Sequence, residues 1–294
     1  MALHVAITGA GGFVGGFAAR WLAAQGFEVD ALSRQASADA PGLVWRQADL
    51  MQPEALPERC DAIIHCAAEL PSRTSDPVAL YDLNRRMADA VFSHAERHGV
   101  RTVIFISSMS VYGAIDSAEV DENLTPRDPD PYGRAKRDGE EALAAAVARG
   151  AVASGLSIRL PGTVGRGSHH NFLSDTLRAV LAGGVVKAVN PDGLFNNIVY
   201  VEDLARFFAD WIDVPKPGYF VTNLAARDPL PVRDVLARMF EVAGKPLKCE
   251  FSWSPRKSFL ISLRRAEELG YRPATVRDSV DSFVRSNLSG FSAP

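Results

Sequence analysis

Apolar positions along this chain change period repeatedly. His4-Val5-Ala6-Ile7-Thr8 is a short, mostly apolar and partly β-branched run, the pattern of a buried strand. Glu28 to Leu32, Leu43 to Gln47, Ala62 to Cys66, Val103 to Ile106 and Ser157 to Leu160 read the same way. Helical stretches lie between them. Phe13 to Gln25 offers Phe13, Phe17, Trp21 and Leu22 for one face, Val78 to His98 is a long helix, and Ala135 to Arg149 is rich in good helix formers. This alternation predicts an α/β fold, a doubly wound parallel sheet with helices on both faces. After about residue 162 the texture changes. Gly165 to Asn171 is a polar loop, and Phe172 to Leu181, Glu202 to Ile212, Val232 to Ala243 and Arg264 to Leu269 read as helices. Asn196 to Val201 alternates, and Pro215-Lys216-Pro217-Gly218 is a turn. The expected division is residues 1–162 for the sheet domain and 163–294 for a smaller, mixed lobe, interleaved with it and covering the cleft.

Candidate chemistry falls at the carboxyl ends of the predicted strands, where open α/β sheets bind ligands. After the first strand comes Gly9-Ala10-Gly11-Gly12-Phe13-Val14-Gly15, with Gly9, Gly12 and Gly15 at three-residue spacing. Glycine allows a tight turn and close approach to a pyrophosphate, and the free N–H groups of the following helix favour an anion. Ser107-Ser108-Met109-Ser110 follows the fifth strand. Tyr132 and Lys136 stand four residues apart just after Pro131, a residue suited to a helix start. One turn of helix puts them on one face. A nearby ammonium favours a phenolate, so Lys136 is expected to lower the Tyr132 pKa toward neutrality and make it a general acid or base. Such a pair also arises by chance at an exposed helix start; the glycine turn and the serines give it weight.

Composition narrows the partners. The 294 residues suffice for one large α/β domain or a domain with a smaller lobe. A net charge of −3 gives no reason to expect nucleic acid or an anionic membrane. Met1 leads directly into a strand, so no signal peptide is expected, and no apolar run approaches the roughly 20 residues that span a bilayer. Cys60, Cys66 and Cys249 lack metal-site spacing and leave an odd thiol, which fits a reduced, cytoplasmic setting. His169-His170 are adjacent rather than four apart, so they read as loop, not as a metal pair.

With these residues in view, nearly the whole chain resembles the extended branch of the short-chain dehydrogenase/reductase family, which includes sugar-nucleotide epimerases, reductases and dehydratases. The resemblance rests on Thr8 to Gly15, Asp49-Leu50, His65-Cys66-Ala67-Ala68, Asn84, Ser107 to Gly113, Tyr132 to Lys136, and Asn197-Ile198-Val199-Tyr200-Val201-Glu202-Asp203-Leu204. It implies a Rossmann domain. Gly9, Gly12, Phe13 and Val14 would hold a dinucleotide pyrophosphate, Asp49 and Leu50 would border the adenine, and Ala67 and Ala68 would line the ribose and phosphates. Tyr132 would be the acid/base, Lys136 would lower its pKa and bond the nicotinamide ribose, and Ser108 would hydrogen-bond the substrate oxygen. Leu160 and Pro161 would pack near the nicotinamide, and Asn84 would brace the site. In the second lobe, Asn171, Phe172 and Arg256 sit where relatives meet a nucleotide diphosphate, although Arg256 also suits a solvated surface.

Three departures refine this. Where a relative preferring NAD places an acid after the second strand, this chain has Ser33-Arg34; Arg pairs well with a 2′-phosphate, so NADP is favoured over NAD, a surface arginine with NAD being the alternative. Met109-Ser110 replaces the Asp-Glu pair of sugar dehydratases, which argues against dehydration. Gly162 stands where sugar epimerases often carry Asn, which counts against the epimerase reading. The expectation is an NAD(P)-dependent keto-sugar reductase or epimerase. A reductase of a small aldehyde or ketone and a non-catalytic dinucleotide-binding redox sensor are the alternatives. Glu69 reaches either a sugar hydroxyl or water. Relatives often form homodimers through the two long helices; Leu83, Met87, Val91 and Phe92 could serve that seam or face the sheet.

Overall fold

The structure, a computed structural model, describes residues 2–35, 37–52, 56–255 and 258–289. In chain order its elements begin with β1 (His4–Thr8), α1 (Phe13–Ala24), β2 (Glu28–Ser33), β3 (Leu43–Gln47), β4 (Ala62–His65), α2 (Pro77–His98) and β5 (Thr102–Ser108). A 3₁₀ turn (Met109–Tyr112), β6 (Glu119–Val120), α3 (Pro131–Ala148), β7 (Ser154–Leu160), β8 (Gly162–Val164) and α4 (Phe172–Leu181) follow. Then come β9 (Val186–Val189), β10 (Leu194–Phe195), β11 (Ile198–Tyr200), α5 (Val201–Asp213), β12 (Gly218–Asn223), β13 (Leu230–Pro231) and α6 (Val232–Val242). The last are β14 (Cys249–Ser252), β15 (Leu260–Ile261), α7 (Arg264–Glu268) and α8 (Val276–Ser286).

Contacts divide the chain into two units. The first comprises Met1–Ala114, Thr125–Arg159 and Ala205–Thr222; the second comprises Ile115–Leu124, Leu160–Leu204 and Asn223–Pro294. The chain therefore passes repeatedly from one unit to the other.

Seven strands form the sheet of the first unit, in the order β12-β7-β5-β4-β1-β2-β3. β1 runs parallel to β2 and β4, β2 to β3, and β4 to β5. The chain leaves β1 toward one edge and returns through β4 toward the other, so the strand order reverses beside the Gly9 turn. Crevices at such points are where doubly wound sheets take ligands. Ala6, Leu32, Ile63, Val91, Phe92, Val103, Phe105 and Leu143 are sealed in one cluster between sheet and helices. Fully burying one such side chain contributes about 1.5–3 kcal/mol.

Two local expectations change here. The buried face of α1 is Gly15, Gly16, Ala18, Ala19 and Leu22, while Phe13, Phe17 and Trp21 are only partly covered. Small residues let the helix backbone lie close to the sheet, and the large rings are displaced to the flanks. Val91 and Phe92 of α2 belong to the core cluster. The outward faces of α2 and α3 instead carry four-apart ion pairs, Arg85–Asp89 at 2.7 Å and Arg137–Glu141 at 3.1 Å.

The second unit has its own core. Leu173, Leu177, Val186, Ile198, Leu236, Phe240, Val280 and Phe283 pack α4, α6 and α8 against short strands. These pair two by two: β11 with β8, β14 with β9, β15 with β6, and β10 with β13. Among the described residues no helix is long and apolar enough to cross a membrane.

Candidate active site

The glycine turn is held by backbone contacts from three strands. Gly9 has φ +70°, in the left-handed region, and a Cβ there would stand 2.5 Å from the Ala67 nitrogen. The Ala10 amide donates to the Leu32 carbonyl at 3.0 Å, and the Gly12 amide donates to the Gly9 carbonyl at 2.9 Å. Thr8 Oγ1 bonds His65 Nδ1 at 2.7 Å and accepts the Ala67 amide at 3.3 Å. His65 is fully buried, stacked on Phe105 and edge-on to Phe92. Burial, helped by the Lys136 charge, pulls its pKa down to about 3, so the imidazole stays neutral. Gly12 caps α1 with no side-chain acceptor, and the first turn holds no carboxylate. Its helix dipole is thus uncompensated by the chain, which suits a bound anion.

Ser33 and Ala67 border this turn, and the other residues expected around a dinucleotide follow β2, β3 and β4. Ser33, buried at the end of β2, lies 3.2 Å from where a Gly11 Cβ would be. Its hydroxyl donates to the Gln35 carbonyl and accepts the Gln35 amide at 3.2 Å. Arg34 is exposed. The nearest acid on the strand, Asp30, is spent elsewhere: it binds Arg46 at 2.8 Å and His4 at 3.1 Å. Asp49 is exposed and caps Met51 at 3.0 Å, and Leu50 is part of the core. Ala67 and Ala68 are partly covered. Asn84 is buried and clamps the loop after β4, accepting the Glu69 amide at 3.1 Å and donating to the Glu69 carbonyl at 2.9 Å. Glu69 itself accepts from Thr74 at 2.8 Å.

Tyr132 and Lys136 rise from the first turns of α3. Asp130 caps that helix by accepting the Gly133 amide at 2.6 Å, and Pro131 is its first residue. A Cβ on Gly133 would lie 2.1 Å from the Ser110 carbonyl oxygen, so the start of α3 rests directly on the 3₁₀ turn after β5. Ser108 caps that turn and donates to Ser110 Oγ at 3.1 Å. Lys136 is 3% exposed, donates to the Ile106 carbonyl at 2.8 Å, and lies 4.8 Å from the Phe105 ring centroid and 5.7 Å from that of Tyr132. Helix start, serine turn and lysine are therefore locked together.

The electrostatics of the pair differ from the sequence expectation. The Tyr132 phenol is pushed up to about 12, first by burial and then by Asp130. Lys136 is pulled down to about 8, mainly by burial, with Cys66 and Glu140 acting in the opposite direction. Desolvation disfavours both charged forms and here outweighs the attraction between ammonium and phenolate. Tyr132 thus rests as a neutral phenol, a proton donor, beside an amine that titrates near the physiological range.

A buried polar group that the sequence reading overlooked lies one turn beyond Lys136. Glu140 accepts from Arg159 Nε at 2.9 Å and Nη2 at 2.6 Å, and from Ser107 Oγ at 2.5 Å. Arg159 Nη1 donates to the Tyr112 hydroxyl at 2.7 Å. All four are buried. The signal was present: Glu140 shares the buried face of Lys136 and Leu143, where a carboxylate needs a partner.

The remaining expected residues lie in the second unit. Leu160 is buried and Pro161 partly so. The Asn171 side chain caps α4, accepting the Ser174 amide at 3.0 Å and donating to the Thr163 carbonyl at 3.1 Å and the His169 carbonyl at 3.3 Å. These bonds fix the side chain on the loop that leads into α4. Phe172 is 43% exposed, its ring 6.0 Å from that of Phe195. Arg256 lies outside the described residues. Among those described, no cluster of ligating side chains could hold a metal.

A glycine turn, a Tyr–Lys pair on a sealed helix start and a serine at one sheet end define an enzyme of the extended short-chain dehydrogenase/reductase type, working with a nicotinamide dinucleotide. The family described as NAD dependent epimerase/dehydratase matches residues 5–219, and the chain belongs to it. The chain is 28% identical to the N-acetyl-alpha-D-glucosaminyl-diphospho-ditrans,octacis-undecaprenol 4-epimerase of Escherichia coli O157:H7, over 83% of this chain and 73% of that protein. Many solved structures share the fold. The Thermus thermophilus UDP-glucose 4-epimerase in complex with NAD has a TM-score of 0.76 at 23% identity, covering 96% of this chain and 99% of that one. RMD from Pseudomonas aeruginosa complexed with NADPH also scores 0.76, at 20% identity, covering 97% and 99%.

Proposed function

We propose that the enzyme is a 4-epimerase of a sugar carried on a diphosphate, with Tyr132 as acid/base. The observation that carries this is the locked arrangement of Ser108, Tyr132 and Lys136 beside the glycine turn, in a chain whose relatives include 4-epimerases of diphosphate-linked sugars. The dinucleotide, cradled by Gly9, Gly12, Phe13 and Val14 and met by Lys136, supplies an acceptor and donor of hydride. Tyr132, a neutral phenol at rest, would first pass its proton to the Lys136 amine, would then take the proton of the sugar hydroxyl as its carbon is oxidised, and would return it when the carbonyl is reduced again. Ser108 hydrogen-bonds the same oxygen and orients it. A homodimer in a reduced, cytoplasmic compartment completes the reading.

Arg34 favours a second reading. A guanidinium at the end of β2, with Asp30 already paired, suits the 2′-phosphate of NADP. The resting neutral phenol likewise suits donation of a proton to a carbonyl. Both fit a keto-sugar reductase that releases oxidised NADP after each turnover.

One preparation separates the two. The purified protein is denatured and its released dinucleotide identified, and native protein is given UDP-glucose while UDP-galactose is followed. Bound NAD with interconversion supports the epimerase. No bound dinucleotide, together with NADPH-dependent reduction of a keto-sugar nucleotide, replaces it with the reductase. Tyr132→Phe should lower either activity by at least ~100-fold; full activity in that variant would remove Tyr132 from the chemistry.

A further inference from the structure

We propose that Glu140, gripped by Arg159, is a positioning residue for this chemistry: its carboxylate fixes Lys136 and the Ser107–Ser108 strand end in working register. The proposal rests on the reading of Tyr132, Lys136 and Ser108 as the reacting group.

Three elements converge on this one carboxylate. Glu140 lies on α3 one helical step of four residues beyond Lys136, and both are nearly sealed, at 4% and 3% exposed. Arg159 of β7 grips it with two nitrogens, and Ser107 of β5 donates to it. Arg159 also reaches Tyr112, the last residue of the 3₁₀ turn that Ser108 caps. The backbone on either side of Ser108 is thus tied to α3: before it through Ser107, after it through Tyr112. Any drift of Glu140 would move the serine and the lysine relative to each other.

Stability alone is a poor reason for such a pair. A buried ion pair often contributes no more than well-packed apolar residues of the same volume. Its charge, however, reaches Lys136. The titratable groups facing that amine are Tyr132 and Glu140 on α3, and His65 and Cys66 at the end of β4. His65 is neutral and the Cys66 thiol is pushed up to about 12 by burial, so Glu140 is the standing negative charge among them. Facing Glu140 in turn are Arg159, Ser107, Lys136, and Tyr219 on β12, whose phenol is pushed up by burial and by Glu140. The carboxylate therefore supports the ammonium form of Lys136 as well as its place.

The test replaces both partners at once, Glu140→Gln with Arg159→Met, so that no lone charge is left buried. Lys136 is followed by NMR of 13Cε-lysine protein, where only six lysines occur in the chain and Lys136→Arg assigns the signal. Expected are a retained fold, a Lys136 titration displaced by at least ~0.5 pH unit to lower pH, and a kcat for UDP-glucose lowered ~10-fold at unchanged KM. A folded double variant with wild-type titration and wild-type kcat overturns the proposal and leaves the pair structural. Should that variant not fold, Ser107→Ala decides: a several-fold fall in kcat at constant KM supports the proposal, and unchanged kcat overturns it. Inactivity of the wild-type protein toward sugar nucleotides would instead strike the functional reading, and the lysine titration would still decide the role of Glu140.

Discussion

Each unit of this protein is tied together by an arginine that grips a carboxylate with two nitrogens, and the two pairs behave differently. In the first unit Arg159 holds Glu140 between β7 and α3; in the second Arg238 holds Asp281 between α6 and α8, with both contacts at 2.6 Å. Geometry hardly distinguishes them, but their further partners do. Glu140 and Arg159 share theirs with Ser107 and Tyr112, both buried. Arg238 also reaches Glu241, and Asp281 also meets Arg285, side chains 67% and 63% exposed. The further partners of the second pair stand in water and those of the first do not. The same bond thus opens onto solvent in one unit and, in the other, is a charge that acts on a neighbouring amine.

The sharpest way to break this comparison is to remove one arginine from each pair. Arg159→Met should destabilise the protein by about 3–5 kcal/mol, because it strands a buried carboxylate. Arg238→Met should shift the denaturant midpoint much less, since Asp281 keeps Arg285 and solvent. Equal shifts in urea unfolding would show that burial does not separate the pairs.

The next effect concerns pH. Lys136 has a folded pKa of about 8 against 10.5 for a free amine. Below pH 8 it is charged in both states and its burial costs stability. As pH rises from 8 to 10.5 the folded state sheds the proton first, and that penalty disappears. The stability of wild type relative to Lys136→Met should therefore rise by about 3 kcal/mol across this window. A flat difference between the two proteins would mean that Lys136 is not held down by its surroundings.

A smaller change tests position without charge. Gly133→Ala puts a methyl group against the Ser110 carbonyl and should displace Tyr132 from Ser108. Turnover should fall ~10- to 100-fold in a protein that still folds. Wild-type turnover would show that the contact between α3 and the serine turn does not set the geometry.

The smallest effect belongs to the second pair. Arg238 holds the Asp281 carboxyl below its ordinary value of 3.8. The stability this contributes is present above pH 3.8 and is lost as pH falls through the depressed folded value. Asp281→Asn should therefore be less stable than wild type at pH 7 in thermal scans, with the gap closing as pH falls below 3.8.

Much of the first unit was legible in the sequence, and the reason is physical. Its inner strands are short apolar runs buried on both faces, so His4 to Thr8 and Ala62 to His65 announce themselves with little dependence on context. The motif residues Gly9, Ser108, Tyr132 and Lys136 sit at strand and helix ends that local pattern defines. Other features are set by distant chain. β12 joins the sheet edge from about 60 residues beyond its neighbour β7, and nothing in Gly218–Asn223 names that partner. Helix α8 was readable, with Thr275 capping and Val276, Val280, Phe283 and Val284 on one buried face, yet the sequence reading passed over it. The Tyr132 titration was not readable, because the sign depends on how much protein surrounds the ring, and spacing alone shows only the lysine.

The close approach at Gly133 also bears on how copies of this chain can be judged from their genes. Most core positions accept another apolar residue with some repacking, so a changed sequence there says little. Position 133 accepts only hydrogen where Ser110 lies, and Gly9 accepts only hydrogen where Ala67 lies. A single codon for alanine at either place is a small change in composition and a large one in chemistry.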